Sequence, residues 1–439
     1  MRLTYDDDLF LRAGRVLGIP VVNQSVWRLH GRVDHAELDE LARAMAGGRL
    51  GRLVVRSRVP GARDRWVRAA AVPAVVRTPE PIAPSAVLGW AHEQADVDLD
   101  PELGPGWRFA TAETTDGGSV LSLTVSHAIG DGGAHIASVV EGRRRDPSAR
   151  VDVPQARVRD DVRDAAGQVA RAARGVWRAV RDRHTPRAAP PLPPGTQMSA
   201  VRDGGAGDPS GPAFRAPLAV VDCDAAAWDR VAAEAGGTAN ALLVAVATEV
   251  LLSSGRVRTT APVRVALPVS GRRGTDLRAN ATVGVSIVVD PDPSGRVPDL
   301  RAVRERSKAA FSRIGVAEPP ARAFEPLVQL LPDPLVARLA RTSPVPLCLC
   351  SNLGALPEEF VAPLGAPAAA VAMRSMTRDV TRSMLRARGG GLSVWLARVG
   401  GTVTLSVLGL DPDHFPDEAE LGRHVAKVLE QREIPAKAW

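Results

Sequence analysis

The sequence predicts an α/β protein of two lobes, each a two-layer (α+β) packing of a sheet and helices. Three observations carry that prediction. The chain has 439 residues, more than one ordinary core takes up and enough for two domains of roughly 200 residues. Strand-like and helix-like periodicities alternate in both halves. Between the halves, residues 186–211 are dense in Pro, Gly and Ala and read as a linker. The expected division is an N-terminal lobe over 1–185, the linker over 186–211 and a C-terminal lobe over 212–439.

In chain order, residues 21–33 read as a strand. Asp34 then caps a helix, and Glu37 three residues on completes a capping-box pattern. Leu38, Leu41, Ala42 and Met45 give that helix an apolar face, and Gly47 and Gly48 end it. Residues 85–95 are a second helical stretch. Residues 107–113 and 120–127 read as a hairpin across Thr115, Asp116, Gly117 and Gly118. On its second strand Leu121, Leu123, Val125 and His127 share one face, because side chains alternate with period two.

Residues 158–181 form a basic amphipathic helix. Val158, Val162, Ala165, Val169, Ala173, Val176 and Val180 recur at helical spacing, arginines crowd the other faces, and Trp177 lies near the end. Two readings stay open: a helix packed on its own lobe, or a peripheral contact with a membrane surface.

In the second half, residues 219–223 read as a strand and Thr238 caps a long apolar helix over 239–252. Strands follow at 263–269, 283–290 and 345–351. Pro332 and Pro334 break a partly helical stretch over 320–341. Residues 392–399 and 402–408 form a hairpin across Gly400 and Gly401, and 418–432 is a closing helix.

Composition narrows the function. At 45% hydrophobic and 24% charged the chain reads as soluble and globular. It has no apolar run of about 18 residues, and its start lacks the basic and apolar stretches of a signal peptide. A cytoplasmic protein is expected, membrane-associated if the 158–181 helix is a surface contact. The net charge of +7 is carried almost wholly by arginine and favours anionic partners. Aromatic content is 4% and no basic stripe interleaved with aromatics appears, which argues against nucleic acid. Cys223, Cys348 and Cys350 read as buried structural thiols; no metal site is expected.

The chemistry concentrates at residues 126–133, Ser126, His127, Ala128, Ile129, Gly130, Asp131, Gly132 and Gly133. Histidine suits a general base because its ordinary pKa is near 6.5. Asp131, after a tight turn, is placed to fix the loop, and a short helix over 134–140 follows with Asp131 near its N-terminus. Gly130, Gly132 and Gly133 give the turn its freedom. A lone histidine at a strand end is as readily a packed structural residue as a base. His135 is a further candidate for lining a cleft.

This run resembles the His-x-x-x-Asp-Gly signature of the chloramphenicol acetyltransferase-like superfamily. Its members include condensation domains, polyketide-associated acyltransferases and wax ester synthase/diacylglycerol acyltransferases. Further blocks resemble the family in the expected order from about residue 3 to 430: Thr238 to Leu243, Leu267 to Arg272, Asn280 to Gly284, and Cys350 to Gly354. The resemblance implies two such lobes in a V-shaped pseudo-dimer with a central tunnel. His127 and Asp131 would be the catalytic pair, and Gly132, Arg272 and Asn280 the motif and structural residues. The motif aspartate is mainly structural in that family and pairs with an arginine of the second lobe, so Arg272 is expected on Asp131; the alternative is an Arg272 solvated among other arginines. Ser351 and Asn352 are implied either as oxyanion or cleft donors or as holders of a crossing segment. Many relatives carry two successive histidines. Here Ser126 precedes His127, which loosens assignment to any one branch.

The expected function is an acyltransferase of secondary metabolite or lipid biosynthesis, with acyl-CoA as donor, a hydroxyl or amine acceptor and His127 as base. A carrier-protein-dependent condensation-type enzyme, with phosphopantetheine thioester donor and carrier in trans, and an inactive lipid-binding or scaffold homologue are the alternatives. No permanently bound cofactor is expected, and the chain is expected to be a monomer.

Overall fold

The computed structural model describes residues 1–146, 157–181, 196–197, 207–273, 276–315, 320–341 and 345–439. Most of the expected linker over 186–211 lies outside the described residues. The first half contains α1 (Tyr5–Leu17), β1 (Val21–Leu29), α2 (His35–Gly47), β2 (Arg52–Val55), β3 (Arg65–Arg68), β4 (Val76–Arg77), α3 (Val87–Ala95), β5 (Trp107–Glu113), β6 (Ser119–Ser126), α4 (Gly132–Arg144) and α5 (Val158–Arg181). The second half opens with β7 (Leu218–Asp224), α6 (Ala225–Glu234), α7 (Ala239–Ser253), β8 (Val263–Ser270), β9 (Thr282–Val289) and α8 (Leu300–Ser312). It continues with α9 (Glu325–Leu330), α10 (Asp333–Arg341), β10 (Cys348–Ala355), α11 (Glu358–Val361), β11 (Ala370–Thr377) and α12 (Arg382–Arg388). It closes with β12 (Leu392–Val399), β13 (Thr402–Gly409), α13 (Glu418–Gln431) and β14 (Ala436–Ala438).

Two large sheets organise these elements. The first has the order β11-β1-β6-β5-β4 and the second β14-β7-β13-β12-β10-β8-β9. In the first, β6 runs antiparallel to β1 with Val22 opposite Ser126, so His127 leaves the sheet beside the start of β1. The second packs on α7, which Thr238 caps and whose residues 241–252 are all buried. A helix apolar on every side belongs inside a core.

The sheets do not divide at the linker. β11, far along the second half, is the edge strand of the first sheet and pairs with β1 from Val21–Thr377 to Arg28–Ala370. A cut at the linker would leave β1 without that partner. The sequence pattern also passed over α1, which begins with a capping box: Asp7 N donates to Thr4 Oγ1 at 3.2 Å and Thr4 N to Asp7 Oδ2 at 2.9 Å.

Two local expectations change. Asp34 caps α2 alone, accepting from Ala36 N and Glu37 N. The Glu37 carboxylate, expected to reach back to the cap, instead pairs with Arg143 of α4 at 2.6 Å, so the charge partner on the neighbouring helix wins over the local bond. The second change is α5. Its buried residues are Asp161, Gln168, Ala172 and Gly175, while Val158, Val162, Val169, Val176, Trp177 and Val180 are exposed. The helix therefore packs on its lobe by a polar and small-residue face. Asp161 pairs with Arg2 and Arg65, Asp164 with Arg63 at 2.8 Å, and Gln168 Nε2 donates to Gln329 Oε1 at 3.0 Å. Gly175 lies where a Cβ would collide with the Ala323 carbonyl, so a larger residue there would lift the helix off.

Candidate active site

The strand β6 aims the site. Leu121, Leu123 and Val125 are fully buried on one face of it, and the chain turns directly after Ser126. His127 N donates to Val21 O at 2.9 Å and Ile129 N to Ser126 O at 3.0 Å, which holds the turn. Asn23 Nδ2 donates to Gly130 O at 2.8 Å. Asp131 then caps α4, accepting from Ala134 N at 2.8 Å.

Of the three glycines, Gly132 acts through space rather than backbone freedom. Gly130, Gly132 and Gly133 are not among the residues with positive φ. A Cβ at Gly132 would stand 3.2 Å from the Trp395 ring of the second lobe, so glycine there lets the two lobes close up.

The second lobe supplies the other half of the site through the segment that follows β8. Arg272 Nη2 donates to Asp131 Oδ1 at 2.9 Å, and its Nη1 donates to the carbonyls of Asp276 and Arg278 at 2.9 and 2.7 Å. Asp131 N donates to Ala279 O at 3.0 Å, while Ala281 N and Thr282 Oγ1 donate to Asp131 Oδ2 at 2.7 and 3.1 Å. Both carboxylate oxygens are thus occupied by donors, and neither bonds to His127. Burial pushes the Asp131 pKa up, but Arg272 and the Ala281 and Ala134 amides outweigh it, and the group is held below its ordinary value.

Asn280 determines which nitrogen of His127 carries the proton. Its Nδ2 faces only acceptors: Asp7 Oδ1 at 3.0 Å, His127 O at 3.1 Å and Ala128 O at 3.5 Å. Its Oδ1 therefore faces His127 Nδ1, at 3.0 Å. An amide oxygen only accepts, so Nδ1 holds the hydrogen and Nε2 keeps a lone pair. Asp7, fully buried, anchors Asn280 through its backbone N–H at 2.9 Å as well as its side chain. The ring of Phe10 on α1 stacks on the His127 ring, with centroids 3.6 Å apart and planes 17° off parallel. Burial pulls the His127 pKa below 6.5, against the opposing pull of Asp131, its own backbone carbonyl and Asn280. The ring is half-buried and neutral near pH 7.

The structure thus brings together His127, Asp131, Gly132, Arg272 and Asn280. It does not bring Ser351 or Asn352 into hydrogen-bond contact with them. Asn352 is engaged within its own lobe, donating to Asn240 Oδ1 at 3.3 Å and accepting from Gly354 N at 2.8 Å. Ser351 is buried on β10, in register with Trp395. His135, a candidate for the cleft, is instead fully buried, with Nε2 3.0 Å from Ser25 Oγ, and burial pulls its pKa down to about 3. Asp7 and Phe10 went unrecognised in the sequence. The Thr4–Asp7 capping spacing was the available signal for α1, but nothing local ties either residue to His127. A cavity of about 590 Å³ beside Met45, Arg49, Arg68 and Ser138 includes none of these site residues. Among the described residues no group of three or more His, Cys, Asp or Glu side chains is placed to hold a metal ion. No described single helix is long and apolar enough to cross a membrane.

No family model and no curated protein matches this sequence. Solved structures do match its fold over almost the whole chain. The first condensation domain of the calcium-dependent antibiotic synthetase, in complex with a substrate analogue, is similar with a TM-score of 0.58 at 16% identity, over 98% of this chain and 97% of that one. The wax ester synthase/diacylglycerol acyltransferase from Marinobacter aquaeolei VT8 is similar with a TM-score of 0.55 at 16% identity, over 99% of this chain and 100% of that one. A variant of the starter condensation domain of rhizomide synthetase, in complex with C8-CoA, is similar with a TM-score of 0.54 at 11% identity, over 99% and 94%. The chain has the fold shared by these condensation-domain and acyltransferase structures.

Proposed function

We propose that the protein transfers an acyl group from a thioester, acyl-CoA, to a hydroxyl or amine acceptor, with His127 as general base. The observation that carries this reading is the lone pair on Nε2, left free because Asn280 Oδ1 holds the proton on Nδ1. Nε2 takes the proton of the acceptor O–H or N–H as that atom attacks the thioester carbonyl carbon. The tetrahedral oxyanion collapses by breaking the carbon–sulfur bond. The leaving thiolate takes the proton back from Nε2 and departs as free thiol. Asp131 does not relay a proton; it ties the His127 loop to Arg272 and to the 279–282 segment. The C8-CoA bound by the similarly folded starter condensation domain supports a thioester donor. A carrier-borne phosphopantetheine thioester would undergo the same chemistry.

The test incubates the protein with acyl-CoAs of graded chain length and a mixture of alcohol and amine acceptors, reading free thiol and product mass. Turnover by wild type and a roughly 10²–10⁴-fold loss in His127→Ala are expected. A folded wild-type protein inert with acyl-CoAs but active with loaded carrier protein would move the donor to the carrier. Inertness with both would sink the acyl-transfer reading.

A further inference from the structure

The outward face of α5 is unlike that of an ordinary surface helix. Of the large apolar side chains that the described residues leave exposed, six are on α5: Val158, Val162, Val169, Val176, Trp177 and Val180. Phe324, Leu335 and Leu339 are exposed on the stretch 320–341, whose 3₁₀ turn (Pro320–Phe324) and α9 pack against α5. Outside these elements, among the described residues, only Met1, Leu9, Val72 and Leu103 are so exposed.

At 3.6 residues per turn the valine stripe lies roughly 100° around the helix from the docked face of Asp161, Gln168, Ala172 and Gly175. Trp177, Arg159, Arg163 and Arg181 lie on the other side of that stripe, with Arg174 and Arg178 beyond them. The acidic residues of α5 do little to offset this charge on the outside. Asp161 and Asp164 are turned inward onto Arg2, Arg65 and Arg63, and only Asp160 stays out, beside Arg163. The Arg181 guanidinium sits 4.7 Å from the centre of the Trp177 ring.

We propose that α5 lies flat on an anionic bilayer, its valines in the acyl boundary and its arginines among the headgroup phosphates. Three features favour that occupant. The stripe from Val158 to Val180 runs about 33 Å along the helix at 1.5 Å per residue, the footprint of an extended plane rather than of a compact protein knob. Arginine beside tryptophan at the edge of an apolar face suits the headgroup region, where a ring is half-immersed and long basic side chains reach phosphate. A second copy of this chain would bring one arginine rim against another, which like charge disfavours. Through Arg2, Arg63 and α9 the docked side of α5 connects to α1, which carries Phe10 against His127. The proposal concerns adhesion and does not depend on acyl transfer.

The test is sedimentation of the full-length protein with vesicles of 7:3 phosphatidylcholine:phosphatidylglycerol and of phosphatidylcholine alone, at low and high salt. Binding to the anionic vesicles, weakened by salt, is expected. The triple variant Val162→Ser/Val169→Ser/Val176→Ser should bind at least tenfold more weakly with an unchanged Tm. Arg159→Gln and Arg163→Gln should each weaken binding about five-fold. Three outcomes overturn the proposal: no binding to anionic vesicles, equal binding of the triple variant, or a wild-type dimer that the triple variant dissolves. Capture of an acidic carrier protein through these valines, with no vesicle binding, overturns it as well.

Discussion

The seam around His127 and the surface of α5 depart from the usual inside–outside rule in opposite directions. At the seam, polar groups go in: Asp7, Asp131 and Asn280 are almost wholly buried, and each is met by donors or acceptors across the lobes. On α5, apolar groups go out, and two of its three carboxylates, Asp161 and Asp164, are turned inward to dock the helix. The seam uses burial to fix geometry, because a buried polar group without a partner is costly and so tolerates one arrangement. The face of α5 leaves apolar area unsatisfied, which is informative only if something else covers it. One region is complete by itself and the other is not.

The comparison breaks most sharply at the Asp131–Arg272 pair. Arg272→Ala leaves a buried carboxylate short of its cationic partner. The expected loss of stability is about 3–5 kcal/mol, read as a drop in urea midpoint at constant m-value, with activity falling alongside. A variant as stable as wild type would show that the backbone donors at Ala134 and Ala281 hold Asp131 by themselves.

A smaller effect is expected at Asn280. Asn280→Ala removes the acceptor that holds the His127 proton on Nδ1, and activity should fall roughly 10–100-fold. Because that bond raises the His127 pKa, its loss should move the acid limb of kcat/KM, already below pH 6.5, to still lower pH. A limb that stays in place while activity falls would assign Asn280 a purely structural role.

Next in size is the response to acid. His92 and His135 are buried with pKa values pulled down to about 3. Above pH 6.5 both rings are neutral folded or unfolded and contribute nothing. Below it the unfolded chain takes up protons that the folded protein refuses. Stability should therefore fall by up to about 1.4 kcal/mol per pH unit for each histidine, down to near pH 3. Thermal melts between pH 7.5 and 5.5 measure the slope, and His135→Gln should flatten it. An unaltered slope would mean that the folded state admits the proton. The smallest change is expected on α5, where serine in place of Val162, Val169 and Val176 should each shift stability by less than about 0.5 kcal/mol. A larger loss would mean that the valines are packed after all.

Much of this was legible in advance because it is written in local pattern. The hairpin across Gly117, the caps at Asp131 and Thr238, the breaks around Pro332 and Pro334 and the blocks around Arg272 and Asn280 are all short-range signals. The parts that were not legible are those decided by long-range partners. Periodicity shows that α5 has an apolar stripe, but not which way the helix rolls. The arginines at positions 2, 63 and 65, together with the room at Gly175, decide that. Glu37 fits a capping box in sequence and finds Arg143 in space. The glycines after His127 read as a flexible turn, whereas at Gly132 it is the closeness of the second lobe's Trp395 that a side chain would disturb. Asp7 and Phe10 reach the site only because α1 packs there.

The placement of β11 bears on how the chain is born. β1 waits at the edge of a sheet whose outer partner, residues 370–377, is synthesised roughly 240 residues after β6, which is on the order of 12–50 s at ribosomal rates. For that interval the first sheet has an open edge of unpaired N–H and C=O groups. Nascent chains stalled or truncated before residue 370 should therefore be the aggregating species. Supplying the 370–377 peptide in trans offers a direct way to rescue them.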